Sequence, residues 1–230
     1  MGFSFSKGDQ MHTVEGGCVS AGFIVLGMIE NNTYLVDDGE GGVIVVDPST
    51  KPEAILAAAA GRPISALFVT HGHFDHVGAL ADLRNSQKVE VYASAIDAPL
   101  IERPKSGSNK MTAPPCPVDK RLSDGDTVKI AKTTWKVMVT PGHTKGGICY
   151  YADPATSPNP QGAPVLLSGD TLFYASIGRT DFEGGSQSDM RRSLARLEKL
   201  PDNTIVLPGH NMTTTIGAER SRVFDQYLRS

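Results

Sequence analysis

Cysteine is scarce in this chain: Cys18, Cys116 and Cys149 are the only three in 230 residues, and no two form a CxxC pair. An odd, widely spaced set fits a reducing, cytoplasmic setting better than a disulfide framework. Long apolar runs are lacking too. The longest, residues 18–29 (CVSAGFIVLGMI), is too short to span a bilayer. It follows an acidic VEGG and not a basic segment, so it reads as a core strand and not as a signal peptide or membrane anchor. Nor is there an excess of one charge. Lys and Arg number 22 against 25 Asp and Glu, a formal net charge of −3, which gives no electrostatic reason to expect nucleic acid or anionic membrane as a partner. No internal repeat is visible.

What is present is an alternation of strands and helices. GFIVLGMI, TYLVDD and GVIVVDP are β-branched, apolar runs separated by Asn-Asn and Gly-rich turns. KPEAILAAAA reads as a helix with Gly61 as its C-cap, followed by the strand ALFVT, a helix through VGALADLRN, and the strand VEVYAS. The patterns DTVKI, WKVMVT, ICYYA, VLLSGD and TIVLPGH predict further strands. SDMRRSLARLEKL is an amphipathic helix with Ser188 as the expected N-cap, and GAERSRVFDQYL a final helix. Residues 103–118 hold four prolines and read as a long surface loop, placed to act as a lid; residues 153–164 are a turn-rich insertion. Residues 1–18 read as a leader, with Met11 as a second candidate start, and residues 19–230 as one α/β layered domain.

The densest chemistry lies at residues 70–80, THGHFDHVGAL, where His71, His73, Asp75 and His76 fall within six positions. His71 and His73, two apart at a strand end, point to the same side if the chain is still extended there. Gly72 between them lets the backbone come close to whatever they bind. A lone histidine is most often a satisfied core or surface residue. Four ligand-type residues in six positions reverse that balance and point to a metal site, for which zinc suits the His/Asp set while iron and manganese tolerate it. Three more strand ends repeat one pattern, an apolar strand, a glycine and a ligand-type residue: VTPGH ends in His143, VLLSGD in Asp170 and IVLPGH in His210. Five of the six histidines are thereby used, leaving only His12.

HxHxDH followed by His, Asp and His at strand ends resembles the metallo-β-lactamase superfamily, from about residue 20 onward. GDTLFYASIGRTDFEGG and PGHNMTTTIGAER resemble its glyoxalase II-like branch, the relatives of hydroxyacylglutathione hydrolase. The resemblance implies a four-layer αββα sandwich and a site for two Zn2+ ions per chain. In it His71, His73 and His143 hold one ion, Asp75, His76 and His210 the other, and Asp170 bridges them. It implies hydrolysis of a small thioester by attack of a metal-bridging hydroxide, with Asp75 also orienting the nucleophile and passing its proton to the leaving group. Arg179 and Lys145 are the implied substrate-binding residues. Arg179 has an alternative as a structural ion pair with Asp181 or Glu183, and Lys145 as a merely solvated side chain.

Departures from other branches narrow the reading. Lactam-hydrolysing members of the best-known class carry Cys where this chain has Asp170 and are exported. Flavodiiron relatives carry Glu at the position of His73. Persulfide dioxygenases share GRTDF but use one iron and read HxHADH, whereas residue 74 here is Phe; this is the nearest rival, ahead of hydrolysis of another ester or a lactone. A non-enzymatic metal-dependent binding protein is a third reading, disfavoured by the full ligand set. The glutathione-gripping helical region of glyoxalase II extends well past its last histidine, whereas this chain ends twenty residues after His210, which leaves the thiol carrier open. Asp47, closing VIVVDP, is expected to hydrogen-bond local backbone or a ligand histidine, and Trp135, Tyr150, Tyr151 and Cys149 are expected to pack in the core.

Overall fold

The computed structural model describes residues 10–104 and 112–229. A seven-stranded sheet runs in sequence order through β1 (His12–Val14), β2 (Ala21–Leu26), β3 (Asn31–Asp37), β4 (Val43–Val46), β5 (Ile64–Phe68), β6 (Val91–Ser94) and β7 (Lys120–Leu122). Pairing is antiparallel from β1 to β4 and parallel from β4 to β7. Helices α1 (Pro52–Ala59), α2 (Phe74–Val77), α3 (Leu80–Gln87) and α4 (Ala98–Glu102) lie in the crossovers that this parallel half requires. The second sheet contains β8 (Thr127–Ile130), β9 (Thr133–Val139), β10 (Ile148–Ala152), β11 (Val165–Gly169), β14 (Ile205–Pro208) and β15 (Thr214–Thr215), in the order β15-β14-β11-β10-β9-β8. A small hairpin of β12 (Leu172–Phe173) and β13 (Ser176–Ile177) follows β11, then α5 (Gln187–Leu197), α6 (Ile216–Glu219) and α7 (Asp225–Leu228), the last two joined by a π-helical turn over Arg220–Phe224.

Three apolar clusters show how the layers stack. One lies between the sheets, with Phe23, Tyr34, Ile44, Val46 and Phe68 facing Trp135, Val137, Tyr150 and Leu167. The second joins the first sheet to α1, α3 and α4 through Val43, Val45, Ile55, Leu67, Leu80 and Ile101, and the third packs Cys149, Tyr151 and Val206 under Met190, Leu194 and Phe224. Each sheet is thus covered on both faces, the αββα sandwich. This explains the unbroken apolar runs: in VIVV the residues Ile44 and Val46 go to the inter-sheet core while Val43 and Val45 go to the helices. Trp135, Cys149 and Tyr150 are fully buried, as expected. Among the described residues no helix is long and apolar enough to cross a membrane.

Three expectations change. The leader is only partly a leader: His12–Val14 pairs antiparallel with β2 as the edge strand, and Gly17 bridges Ala163. Such a short edge strand carries too little local pattern to be read alone. The Pro-rich segment is not a uniform surface loop, because Ala113, Cys116 and Val118 are buried in the helix-side core and the Cys116 amide donates to the Ile101 carbonyl. The middle of that segment, 105–111, lies outside the described residues. Helix α5 is capped by Ser186 rather than Ser188: Ser186 is extended and its hydroxyl accepts from the Asp189 amide at 3.2 Å.

Candidate metal centre

The loops after β5, β9, β11 and β14 open onto one edge of the sandwich, and each carries ligand-type residues out of an apolar strand. Strands β11 and β14 run parallel, so Asp170 and His210 leave the sheet side by side. His71, His73 and His143 form one group, Asp75, His76 and His210 another, and His71, His76 and Asp170 a third, each with its ligand atoms within 4.8 Å of one another. All seven residues singled out in the sequence therefore meet at one place. Asp170 sits between the groups, one carboxylate oxygen 3.4 Å from His143 Nε2 and 3.7 Å from His210 Nε2, the other 3.4 Å from His76 Nε2. Asp75 Oδ2 lies 3.3 Å from His76 Nε2 and 3.2 Å from His210 Nε2.

The outer ring nitrogens are engaged by the protein. His143 Nδ1 donates to the Arg179 carbonyl at 2.7 Å, and His210 Nδ1 to the Ile29 carbonyl at 3.0 Å. Asp47 Oδ2 accepts from His76 Nδ1 at 2.9 Å. These bonds select the tautomer that leaves Nε2 directed at the centre. Asp47 holds the opening loop as well, its Oδ1 accepting from the Thr70 amide at 2.8 Å and its Oδ2 from the Thr70 hydroxyl at 2.7 Å. It does so from a left-handed backbone (φ 49°), a cost that non-glycine residues bear where the surroundings over-determine them.

The donor set fits a cation. His73 Nδ1 stands 3.1 Å from His71 Nε2 and 2.8 Å from His143 Nε2, an approach of nitrogen lone pairs that a shared positive charge relieves. Burial holds the His71 imidazolium well below its usual pKa and brings His73 down to about 4, with the neighbouring histidines adding to both, so these rings are neutral ligands at physiological pH. Against its own burial, the Asp75 carboxyl is drawn far down by His76 and His210 and is ionised. Asp170 Oδ1 is buried with no hydrogen-bond partner, the kind of atom a metal satisfies. A Cβ at Gly209 would stand 2.4 Å from that oxygen and 2.6 Å from the His76 ring, so only glycine leaves the two ligands this close to the β14 loop. Gly72 has a different use from the expected one: a Cβ there would come 2.8 Å from Leu100 Cβ, so its bareness makes room for α4.

Sequence reasoning missed Asp97. It is 1% exposed, and its carboxylate accepts from the Gly146 amide at 2.9 Å, the Thr144 hydroxyl at 2.7 Å and the Gly72 amide at 3.2 Å. It thus ties the loop of His71 and His73 to the loop of His143. No spacing in ASAIDAPL announces this. Replacing Asp97 with Asn removes one of these acceptors and is expected to weaken metal retention at the His71, His73 and His143 group by about 10- to 100-fold, the usual loss when a group behind a ligand is changed. Competition with a chelating dye measures it; equal weakening at both groups would contradict the assignment. Asn31 was missed as well: its amide lies 3.2 Å from the His76 ring, and it bridges His210 across the sheet edge.

The two expected substrate residues lie outside the cluster. Arg179 is exposed and bonds both oxygens of Asp181 at 2.9 and 2.7 Å, and its guanidinium stands 4.2 Å over the Phe182 ring. Phe182 in turn is edge-on to His73 and His143, at 5.8 and 5.9 Å between ring centroids. The ion pair with Asp181 is the structural alternative of the sequence reading, yet it leaves Arg179 at the rim. Lys145 is exposed, with its chain next to Gly184.

A family model described as "Metallo-beta-lactamase superfamily" matches residues 27–210. The hydroxyacylglutathione hydrolase of Salmonella typhi is 31% identical over 80% of this chain, which spans 63% of that enzyme. BLEG-1, a B3 metallo-beta-lactamase, is 31% identical with a TM-score of 0.79, covering 87% of this chain and 96% of its own. TTHA1623 in a di-iron-bound form is 35% identical with a TM-score of 0.73, covering 86% and 96%, and ETHE1 from Myxococcus xanthus is 27% identical with a TM-score of 0.69, covering 90% and 84%.

Proposed function

Since the chain belongs to the metallo-beta-lactamase superfamily, we propose that it is a dinuclear zinc hydrolase of a small thioester of the hydroxyacylglutathione type. The observation that carries this reading is Asp170 standing between two ligand groups, within 3.4 Å of His143 on one side and of His76 on the other. Two divalent cations bound there would acidify water and polarise a carbonyl. His71, His73 and His143 would hold one ion, Asp75, His76 and His210 the second, with Asp170 shared. Asp75, ionised and 10% exposed on its side chain, orients the attacking water and carries its proton toward the leaving group. A thiolate leaves without a strong separate acid. Arg179 at the Phe182 rim is positioned to bind a carboxylate of the thiol carrier, with Lys145 as the second cation.

The test is a metal analysis paired with a panel of glutathione and non-glutathione thioesters, esters and lactams. About two zinc ions per chain with thioester turnover is the expected result. One iron per chain with oxygen uptake on a persulfide would replace this reading with persulfide dioxygenation, which the shared GRTDF stretch and the likeness to ETHE1 favour as the second reading. Arg179→Ala is expected to raise KM roughly fivefold for anionic thioesters, the scale of one exposed ion pair, and to leave neutral ones little changed. An equal effect on both would reduce Arg179 to the partner of Asp181.

A further inference from the structure

We propose that the acyl group this centre accepts is apolar and extended, held by a rim of side chains around the metal-ligand loops; the proposal rests on the thioester reading above. The large apolar residues exposed among the described residues are Met28, Ile29, Ile96, Leu100, Tyr174 and Phe182. They come from four separate segments, and each segment adjoins a loop of the candidate centre. Met28 and Ile29 form the turn between β2 and β3, whose Ile29 and Glu30 carbonyls accept from His210 Nδ1. Tyr174 follows Phe173, whose ring stands 6.0 Å from that of His210. Phe182 is edge-on to His73 and His143. Ile96 and Leu100 flank Asp97, the residue that ties the His71 and His143 loops, and Leu100 packs on Gly72.

Exposed apolar side chains scattered singly need no explanation. Here they gather around one polar centre, the composition of a small-molecule site: apolar walls and a few convergent polar groups. Two arginines of this rim add to its apolar surface. Arg179 is bonded to Asp181 and stacked on Phe182, while Arg222 pairs with Glu219 at 3.3 Å and lies 4.8 Å over Tyr174. Their guanidinium planes lie over the aromatic rings and so extend the aromatic surface. An alkyl or aromatic acyl chain gains by covering such a wall, whereas a two-carbon acyl group leaves most of it wet.

The experiment uses the full chain loaded with zinc and a series of straight-chain acyl thioesters of N-acetylcysteamine, from acetyl to octanoyl. The specificity constant kcat/KM is expected to rise by about two- to fourfold per methylene, the range set by partial to full burial of each CH2. Non-hydrolysable thioether analogues of the same series, titrated calorimetrically, are expected to bind more tightly with length and with a negative heat-capacity change. Phe182→Ala and Ile29→Ser are each expected to flatten both slopes, octanoyl losing more than acetyl. Hydrolysis of the acetyl thioester with a flat or falling length dependence would overturn the proposal and leave the thioester reading standing. No hydrolysis of any member would remove the thioester reading and this proposal with it. Flat slopes with a change of oligomeric state in Phe182→Ala, read by sedimentation, would assign the rim to self-association and overturn the proposal equally.

Discussion

Asp170→Ala is expected to leave a folded protein that no longer retains its metals and has no measurable hydrolase activity. The carboxylate faces both ligand groups, with His143, His76 and His210 all within 3.7 Å. Its Oδ1 is buried without a hydrogen-bond partner, the kind of atom a bound cation satisfies. Alanine removes the negative charge that would hold two cations among the five imidazoles. The loss should exceed the roughly 10- to 100-fold seen when only a group behind a ligand is altered. Metal content after gel filtration, with far-UV circular dichroism to show that the fold persists, measures the effect. If the variant kept both metals tightly, the bridging role would fall.

Asp75→Ala is expected to reduce kcat by about 10²- to 10⁴-fold, the contribution of a positioned acid–base group. Asp75 belongs to only one of the ligand groups, so the variant should keep the metal of the His71, His73 and His143 group while losing the other. Asp75→Asn separates the two duties. Its amide oxygen can still ligate but cannot take a proton, so metal content should recover further than turnover. Recovery of turnover in step with metal content would show that Asp75 acts as a ligand alone.

Much of the centre was legible before any fold was known, because ligand chemistry is written in residue type. Three histidines and an aspartate within six positions, and three glycine-led strand ends, name His71, His73, Asp75, His76, His143, Asp170 and His210 directly. Asp47 was legible for a similar reason: a carboxylate closing a wholly apolar strand must find a donor, and it finds Thr70 and His76. Asp97 was not legible. Its function depends on α4 coming to rest against Gly72 while the β9–β10 loop arrives from nearly fifty positions later, and neither approach leaves a mark near residue 97. The role of Gly72 was misread for the same reason, since its neighbour, Leu100, is remote in sequence. Strand β1 went unseen because three residues on a sheet edge take their structure from the partner strand.

What the residues determined alone, then, was the chemistry on offer and the two-sided burial of the strands, both consequences of side-chain type and local period. Only the tertiary structure decided which residues meet. Bringing His143, Asp170 and His210 to the end of β5 requires an antiparallel β9–β10–β11 stack followed by the parallel β11–β14 pair, all facing the first sheet across Phe68, Trp135 and Tyr150. The apolar rim of Ile29, Tyr174, Phe182 and Leu100 was decided in the same way. Each is an ordinary exposed side chain within its own segment, and their segments adjoin one centre only because sheet register and crossover connections, which are long-range quantities, deliver four loops to a single edge.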